Sequence, residues 1–348
     1  MLSLSGKSGS LMNVPLLDQY QRPLHDLRIS VTDRCNFRCR YCMPKEVFGS
    51  AHTFLPHSAL LTFEEITRLT QLFMGFGLRK VRLTGGEPLL RKGFTTLVSM
   101  LVAIDGLTDV ALTTNGSLLT ERADALREAG LSRLTVSLDA LDDTTFQAMN
   151  DVNFPVAHVL SGIQAAECAG FKSIKVNVVV QNGVNDHAVV EIARYFQGSG
   201  HIVRFIEYMD VGSTNGWRND DVLPAEEIVS RIHAVLPLER IAPNYVGEVA
   251  TRYRYLDGSG EIGVIASVTR PFCGACTRAR LSSEGSLYTC LFGSTGTNIG
   301  KVMRAGATDD DIRAVIHAVW SGRRDRYSEV RSTQDQSGSK VEMSHIGG

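Results

Sequence analysis

From about residue 27 to residue 235, short β-branched and apolar runs alternate with longer stretches of helical periodicity. The first apolar run covers residues 27–31 and the last covers residues 202–208. A helical stretch follows each run, as over residues 62–75, where Thr62 is placed to cap the first turn. Parallel strands joined by right-handed crossovers produce such an alternation, so the pattern predicts six strand–helix units.

Polar side chains follow the apolar runs at the points where the predicted strands end. They occur at 84–88, 113–115 and 137–139, at Asn177 and at 207–209. An open doubly wound sheet gathers such groups at one switch point, whereas a barrel collects them from many strands around its carboxyl rim. We therefore expect an α/β chain with an incomplete parallel (β/α)6, TIM-like barrel.

The pattern changes after residue 235. Alternation at 252–255 and a turn at 257–260 predict a small antiparallel element, and a helix is predicted over 308–321. The terminal segments are polar or lack periodicity, so we expect them to be mobile. The expected organisation is a mobile extension over 1–20, the barrel over 21–235, a cysteine-bearing region over 236–322 and a mobile tail over 323–348 that ends in Gly347-Gly348.

Composition excludes several classes of protein. The net charge of −1 gives no reason to expect nucleic acid or an anionic membrane as a partner. No apolar run approaches the ~20 residues of a membrane helix. The N-terminus lacks the basic end and apolar run of a secretory signal, so we expect a cytosolic protein. Seven cysteines in that compartment favour metal ligation over a disulfide framework.

A first cysteine triplet, Cys35, Cys39 and Cys42, directly follows the first predicted strand. So short a loop can wrap three thiolates around one face of an iron–sulfur cubane and leave the fourth iron open. A zinc knuckle or free buried thiols are the alternatives. Histidines available as a fourth zinc ligand are His25, His52 and His57.

A second triplet consists of Cys273, Cys276 and Cys290. Its spacing alone also fits a zinc ribbon that lacks a fourth ligand. Arg278 and Arg280 closely follow Cys276. Because neighbouring guanidiniums repel each other, their presence indicates that a polyanion or a nucleotide docks beside these thiolates. The remaining cysteine is expected to be a small buried side chain in a helix.

Three further cations lie within predicted strands. Arg28 and Arg82 lie inside apolar runs, where an unpaired charge is costly. Each therefore needs an anion, which is either a ligand or an internal carboxylate such as Asp33. Lys175 alternates with Asn177 on one strand face, and this face points into the barrel if the six-unit assignment is correct.

The run Gly-Gly-Glu-Pro at 85–88 ends the strand that follows the first triplet. Two glycines can let a ligand approach the backbone, and Glu87 could then meet an ammonium group; an ordinary β-turn is the alternative. With the Cys-x3-Cys-x2-Cys loop, this run resembles the radical S-adenosylmethionine superfamily. The resemblance implies a [4Fe–4S] cluster on the first triplet, with S-adenosylmethionine on its open iron and cleavage to a 5′-deoxyadenosyl radical.

Both triplets, the segment 277–280 and the terminal glycines resemble the GTP 3′,8-cyclases of molybdenum cofactor biosynthesis (the MoaA family), from residue 20 to the end. The resemblance implies a second [4Fe–4S] cluster on the second triplet, facing the guanine. It implies an S-adenosylmethionine pocket lined by Tyr41, Gly86, Ser137 and Met209. It implies GTP contacts from Arg28, Arg82, Thr113, Lys175, Arg278, Ala279 and Arg280, with Lys80 and Arg204 as further candidates for the triphosphate. It also implies that Gly347 and Gly348 enter the active site.

The implied reaction is the lyase conversion of GTP to (8S)-3′,8-cyclo-7,8-dihydroguanosine 5′-triphosphate. The 5′-deoxyadenosyl radical removes hydrogen from ribose C3′, and C3′ then bonds to guanine C8. The implied partners are a low-potential electron donor of the flavodoxin or ferredoxin type and the downstream cyclic pyranopterin monophosphate synthase. Whether the chain forms a homodimer is left undecided, and no general acid or base is assigned.

Two other functions also stay open at this point. One is a different radical enzyme with an auxiliary cluster, such as a peptide-modifying one. Such enzymes usually recruit more cysteines downstream, and this chain has none after Cys290. The other is a non-catalytic iron–sulfur or zinc module, which iron and sulfide analysis would separate from an enzyme with two clusters.

Overall fold

Six adjacent parallel strands form the centre of the molecule, and their spatial order follows the chain. The computed structural model describes residues 15–331 and 339–348. The six predicted strand–helix units are therefore confirmed. The strands are β1 (Asp26–Ser30), β2 (Lys80–Thr84), β3 (Asp109–Thr114), β4 (Arg133–Ser137), β5 (Lys175–Val180) and β6 (Ile202–Glu207).

Helices connect these strands, and capping signals in the sequence mark the ends of several of them. The Thr62 hydroxyl accepts a hydrogen bond from the Glu65 amide at 3.2 Å, and the Glu65 carboxylate accepts one from the Thr62 amide at 2.8 Å. Gly130 and Gly170 take positive φ values of 91° and 93° directly after two helices, which is the conformation glycine tolerates best. The helices are α1 (Lys45–Phe48), α2 (Phe63–Met74), α3 (Phe94–Val102), α4 (Leu119–Glu128), α5 (Asp143–Asn150), α6 (Val156–Cys168), α7 (Val189–Phe196) and α8 (Ala225–His233).

Alternation along the strands separates a packed face from a polar one. In β5, Val176 and Val178 are buried in the core, where they join apolar side chains of the helices. Lys175 and Asn177 lie on the other face, and Asn177 lines the central cavity. The predicted polar face of this strand is thus confirmed. Since neighbouring strands share the register, polar side chains from several strands meet on one surface.

The C-terminal region extends the same sheet at both edges. One strand, β9 (Glu261–Ile265), pairs parallel with β6, and another, β10 (Arg278–Leu281), pairs parallel with β1. The sheet does not close between its outermost strands, so the barrel is incomplete. The predicted antiparallel element and its turn at 257–260 are confirmed by the hairpin of β8 (Thr251–Tyr255) and β9. These strands are β7 (Leu238–Ile241), β8 (Thr251–Tyr255), β9 (Glu261–Ile265), β10 (Arg278–Leu281), β11 (Ser286–Tyr288) and β12 (Thr297–Asn298).

The described parts of both terminal segments, residues 15–20, 323–331 and 339–348, are held by contacts, whereas residues 1–14 and 332–338 of the expected mobile ends lie outside the described residues. Asp18 and Arg323 are buried and approach each other to 3.5 Å, and Lys340 forms a 2.7 Å ion pair with Asp210. Ile346 is completely buried. Composition suggested mobility, but charged residues in these segments find partners far along the chain. The remaining helices are α9 (Ile299–Arg304), α10 (Asp309–Ser321), α11 (Tyr327–Val330) and α12 (Met343–Ile346).

Within residues 15–331 and 339–348, no helix combines the length and the apolar character that crossing a membrane requires.

Candidate functional site

All six cysteines of the two triplets line one cavity, whose volume is ≈ 320 Å³. The first triplet lies in the loop after β1, and the second lies around β10 and β11. Because β10 pairs with β1, groups more than 230 positions apart in the chain reach the same hollow. All seven cysteines are free thiols. Cys168 is exposed at the end of α6, so the expectation that it is buried is wrong.

The first triplet has the properties of a site that loses protons when metal binds. Burial, and then the neighbouring Glu87, raise the pKa of Cys35 to about 12. Burial also raises the pKa of Cys39 well above its usual range. The Cys35 sulfur accepts hydrogen bonds from the Phe37 amide at 3.4 Å and from the Asn115 side chain at 3.9 Å. Thiolates bound to iron keep such donors, so these residues fit a cluster ligand set.

The alternative of a single zinc ion finds no support among the residues that the structure describes. No three His, Cys, Asp or Glu groups there are arranged to hold one metal ion. His52 packs instead between Phe48 and Phe54, at ring-centroid distances of 4.7 and 4.6 Å. In a cubane each thiolate binds a different iron, so the three sulfurs stand farther apart than the ligands of one ion.

The second triplet differs from the first in its charge environment. Burial alone would raise the pKa of Cys276, but the guanidiniums of Arg278 and Arg323 outweigh it and lower this pKa to about 6. Arg323 Nη2 donates to the Cys276 sulfur at 3.1 Å. Burial raises the pKa of Cys290 to about 11. The lowered pKa therefore favours the thiolate form of Cys276 at neutral pH.

Three arginines stand side by side on neighbouring strands. Arg28 of β1 is in register with Arg280 of β10 on one side and with Arg82 of β2 on the other. Burial, followed by repulsion from Arg280 and Arg82, lowers the pKa of Arg28 well below its usual range. Like charges directly opposite each other in a sheet are destabilising. The row therefore has the character of a binding surface for an anion.

Among the described residues, no internal carboxylate forms an ion pair with this row. Arg82 Nη1 donates to the hydroxyls of Thr113 at 2.9 Å and Thr135 at 3.1 Å, which carry no charge. Asp33, the internal carboxylate considered above, accepts instead from the Leu55 amide at 2.7 Å. Across the described ranges, Arg28 has no carboxylate within ion-pair distance. A ligand is thus the better candidate for the missing anion.

Two lysines lie around the arginine row, and one of them, Lys80, is flanked by Asp26 at 3.6 Å and Asp109 at 3.9 Å. Burial and the neighbouring Arg133 lower the pKa of Lys80 to about 8. Burial and Arg204 lower the pKa of Lys175 to about 7. Lys80 and Arg204 line the cavity, whereas Lys175 is not among its lining residues. A cation whose pKa is depressed by other cations regains its proton when an anion binds, so this group is suited to a triphosphate.

The glycine pair at the end of β2 has a different structural reason from the one proposed above. A Cβ on Gly86 would lie 2.2 Å from the Arg34 carbonyl oxygen, and one on Gly85 would lie 2.5 Å from the Thr32 carbonyl oxygen. Both glycines line the cavity. Their lack of a side chain is required by the close approach of the cysteine loop to β2, and this approach positions the first triplet.

Glu87 is fully buried and does not line the cavity. Its carboxylate accepts hydrogen bonds from the Thr114 hydroxyl at 2.8 Å and from the Asn115 amide at 2.7 Å. Burial raises the pKa of Glu87 to about 7. The idea that Glu87 meets an ammonium group is therefore wrong, because its oxygens already hold the end of β3 against the end of β2.

Most of the other predicted ligand-contacting residues line the cavity. Tyr41 does so and donates from its hydroxyl to Asp139 Oδ2 at 2.9 Å. Ala279 does not, since it is completely buried and pairs with Leu27 of β1. Gly348 lines the cavity, and the Gly347 carbonyl accepts a hydrogen bond from Arg280. The further predicted residues on the cavity wall are Ser137, Met209, Thr113, Arg278 and Arg280.

Sequence reasoning missed several residues on the cavity wall. Asp139 accepts a hydrogen bond from Tyr41, and burial raises the pKa of Asp139 to about 6. Asn115 donates to the Cys35 sulfur. Both belong to the strand-end clusters, so their place on the rim was a usable signal. Arg323 had no such signal, because it begins the segment that composition marked as a mobile tail.

Comparison with known proteins assigns the chain to a family. The Radical SAM superfamily matches residues 29–196, and Molybdenum Cofactor Synthesis C matches residues 201–329. The chain is 52% identical to the GTP 3′,8-cyclase of Acidothermus cellulolyticus, covering 97% of this chain and 100% of that protein. It is 48% identical to the GTP 3′,8-cyclase of Staphylococcus epidermidis, with 97% and 100% covered.

A solved structure shares the fold. The crystal structure of Streptococcus suis SuiB bound to precursor peptide SuiA superposes with a TM-score of 0.63 at 14% identity, covering 91% of this chain and 69% of that chain. At this identity the likeness concerns architecture alone. It agrees with the incomplete barrel and its C-terminal extension.

The fold and the first triplet define a radical S-adenosylmethionine enzyme, a class that carries a [4Fe–4S] cluster and S-adenosylmethionine. Within that class, the chain belongs to the GTP 3′,8-cyclase family, as its identity over nearly its full length to curated members shows. The predicted fold, superfamily and family are confirmed.

Proposed function

We propose that this chain converts GTP to (8S)-3′,8-cyclo-7,8-dihydroguanosine 5′-triphosphate, the first step of molybdenum cofactor biosynthesis. The single observation that carries the proposal is one cavity bounded by both cysteine triplets and by the arginine row of Arg28, Arg82 and Arg280. A row of arginines without a carboxylate partner favours a polyanionic substrate over a peptide. A nucleoside triphosphate supplies the anion that they lack.

The roles of the residues follow from their places on this wall. When bound, the first cluster would supply the electron that cleaves S-adenosylmethionine to methionine and the 5′-deoxyadenosyl radical, which would take hydrogen from ribose C3′ so that C3′ bonds to guanine C8. A second electron from the low-potential reductant and a proton would then complete the 7,8-dihydro product. Cys35, Cys39 and Cys42 hold that cluster. The S-adenosylmethionine pocket is lined by Tyr41, Gly86, Ser137 and Met209. Their task is to orient the cofactor beside the substrate.

The substrate lies between the two triplets in this proposal. The arginine row, with Lys80, Lys175 and Arg204 around it, binds the triphosphate, and Thr113 orients Arg82 through its hydroxyl. Cys273, Cys276 and Cys290 hold a second [4Fe–4S] cluster that faces the guanine, with Arg278 beside it. Such positioning is the protein's main contribution, together with the exclusion of water and stray hydrogen donors.

The lowered lysine pKa values predict opposite pH dependences for stability and for GTP binding. Folded Lys175 and Lys80 lose protons near pH 7 and 8, whereas unfolded lysine does so near 10.5. The unfolded chain thus binds more protons across this window, so the GTP-free protein should gain stability from pH 7 to pH 9. GTP favours the protonated lysines, so its affinity should fall over the same interval.

Calorimetric titration in buffers of different ionisation enthalpy checks this prediction, because GTP binding should take up protons near pH 8. In Lys175→Met the uptake should shrink, whereas Lys172→Met, which alters an exposed lysine nearby, should leave it unchanged. Proton release on GTP binding would contradict the assignment of the lysines to the triphosphate.

A Gly347→Ala substitution should unseat the C-terminus. Gly347 has a φ of 77°, and an added Cβ would lie 2.2 Å from the Thr84 methyl group. We expect cyclisation to fall by roughly 10²-fold, as an ångström-scale misplacement at a reacting site can cause, with an unchanged iron content. Gly183→Ala is the matched control, because Gly183 has a similar φ of 74° with no atom within 4 Å of the added Cβ. Equal product formation by both variants would contradict the prediction that Gly347 enters the active site.

An anaerobic incubation with GTP, S-adenosylmethionine and dithionite tests the proposed function itself. Release of 5′-deoxyadenosine that depends on GTP, together with the cyclic product, is the expected result. GTP-independent release would favour a different radical enzyme. About eight irons per chain are expected for two clusters, and bound zinc in their place would favour the non-catalytic module.

The same proposal extends to partners. A low-potential electron donor of the flavodoxin or ferredoxin type would reduce the first cluster, and cyclic pyranopterin monophosphate synthase would consume the product. Seven free thiols agree with a reducing compartment such as the cytosol. A homodimer stays open.

A further inference from the structure

A buried charged cluster lies directly behind the second triplet. It consists of Asp18, Arg22 and Arg323, which we call the Asp18 cluster. Asp18 Oδ2 is 2.6 Å from Arg22 Nε and 3.5 Å from Arg323 Nη1, and all three side chains are at most 2% exposed. Charges buried this deeply carry a large desolvation cost. Arg323 Nε also lies 3.4 Å from Asp325 Oδ2, so two carboxylates face the two guanidiniums beside the cysteines.

The Asp18 cluster contacts the second triplet through backbone and sulfur atoms. Arg22 Nη1 donates to the Cys273 carbonyl at 2.7 Å, and Arg323 Nη1 donates to the Cys276 carbonyl at 2.8 Å. Arg323 Nη2 donates to the Cys276 sulfur at 3.1 Å. The cluster thus holds the loop that carries two ligands and places a charged donor on one of the three sulfurs.

Arg323 cannot turn away from that sulfur without losing other contacts. Its guanidinium lies 4.6 Å from the centroid of the Trp320 ring, and the Trp320 indole donates to the Arg22 carbonyl at 3.1 Å. Asp18 is itself fixed, because its Oδ1 accepts from the amides of Tyr20 and Arg22 at 2.9 Å each. The donor is therefore preorganised for the sulfur.

No comparable charged donor reaches the first triplet in the described part of the chain. The donors to its Cys35 sulfur are the amide of Phe37 and the side-chain amide of Asn115, both neutral. Hydrogen bonds from charged groups are about twice as strong as neutral ones. Donors and positive charge at a cluster sulfur stabilise the reduced state and raise the reduction potential. The two sites are thus built with different electrostatics.

We propose that Arg323, oriented by Asp18, is a positioning residue that raises the reduction potential of the second cluster. This inference rests on the proposed presence of that cluster. A raised potential lets the second site accept an electron more readily than it would without the guanidinium.

A redox titration followed by electron paramagnetic resonance tests the proposal on the anaerobic two-cluster enzyme. S-adenosylmethionine is added to separate the signal of the first cluster from that of the second. In Arg323→Gln, the potential of the second cluster should shift to a more negative value, and that of the first should stay unchanged. Arg324→Gln, which alters the neighbouring exposed arginine, should leave both potentials unchanged. An unshifted second potential in Arg323→Gln would overturn the proposal.

A second variant covers the case in which Arg323→Gln does not assemble its second cluster. Arg323→Lys keeps the charge but cannot span Asp18 and the sulfur with one planar fork, so a smaller shift in the same direction is expected. An unshifted potential in this variant, or loss of the second cluster in both variants, would assign Arg323 a purely structural role and refute the proposal. If the unmutated protein itself holds only about four irons per chain, it carries a single cluster. That result would refute the proposed second cluster rather than the role of Arg323.

Discussion

A Cys290→Ser variant should lose GTP cyclisation by about 10³-fold or more and should keep its first cluster. Its iron content should fall from about eight to about four per chain, because the two triplets assemble separately although they share a cavity. The guanine would then lack its anchor, and the ribose would no longer be held beside the radical. Effective molarities of roughly 10⁵–10⁸ M show how much rate such positioning supplies.

Cys168→Ser is the matched control for this prediction, because Cys168 is an exposed thiol at the end of α6. It should retain all of its iron and full activity. Iron analysis and chromatography of the cyclic product are the measurements. If Cys290→Ser holds half of the iron of the unmutated protein and still turns over at the full rate, the second cluster has no part in the mechanism.

An Arg28→Met variant should bind GTP about 10- to 150-fold more weakly and yet be no less stable than the unmutated protein when GTP is absent. The affinity loss follows from the 1.5–3 kcal/mol that a hydrogen bond to a charged group contributes, at about 1.4 kcal/mol per tenfold change. The stability follows from relief of repulsion in the row of Arg280, Arg28 and Arg82. Removing one unpaired charge from such a site can raise stability by roughly 1 kcal/mol.

Equilibrium binding of GTP and thermal unfolding of the GTP-free enzyme measure the two effects. Arg122→Met, on the exposed face of α4, controls for the loss of a guanidinium from a surface site and should change neither GTP affinity nor the midpoint appreciably. Unchanged GTP affinity in Arg28→Met would place the triphosphate elsewhere. A large loss of stability would show that Arg28 serves the fold.

Local patterns allowed most of the barrel to be predicted. Alternation in β5 and the capping box at Thr62 are properties of short segments, and they survive in the structure. The charged positions Arg28 and Arg82 inside apolar strands also marked the site correctly as a cavity surface. The alternation in β5 and the cap at Thr62 agree with the structure that their own segments favour. Arg28 and Arg82 conflict with the apolar strands around them, and this conflict is visible in the sequence.

Long-range pairings could not be predicted in the same way. The parallel pairing of β10 with β1 brings Arg280 into the arginine row, and no local pattern shows that two strands 250 positions apart will be neighbours. Arg323 reaches Cys276 from a segment that composition marked as mobile. Glu87 looked like a ligand group, and only the neighbouring β3 shows that its oxygens are occupied.

The most direct test of the central claim is the fate of the hydrogen on ribose C3′ of GTP. The claim is that the triphosphate on the arginine row places the ribose between two cysteine triplets in a single cavity. Anaerobic turnover with GTP deuterated at C3′, followed by mass spectrometry of 5′-deoxyadenosine, should show one deuterium transferred per cyclic product. Turnover that yields only unlabelled 5′-deoxyadenosine would contradict this placement of the substrate.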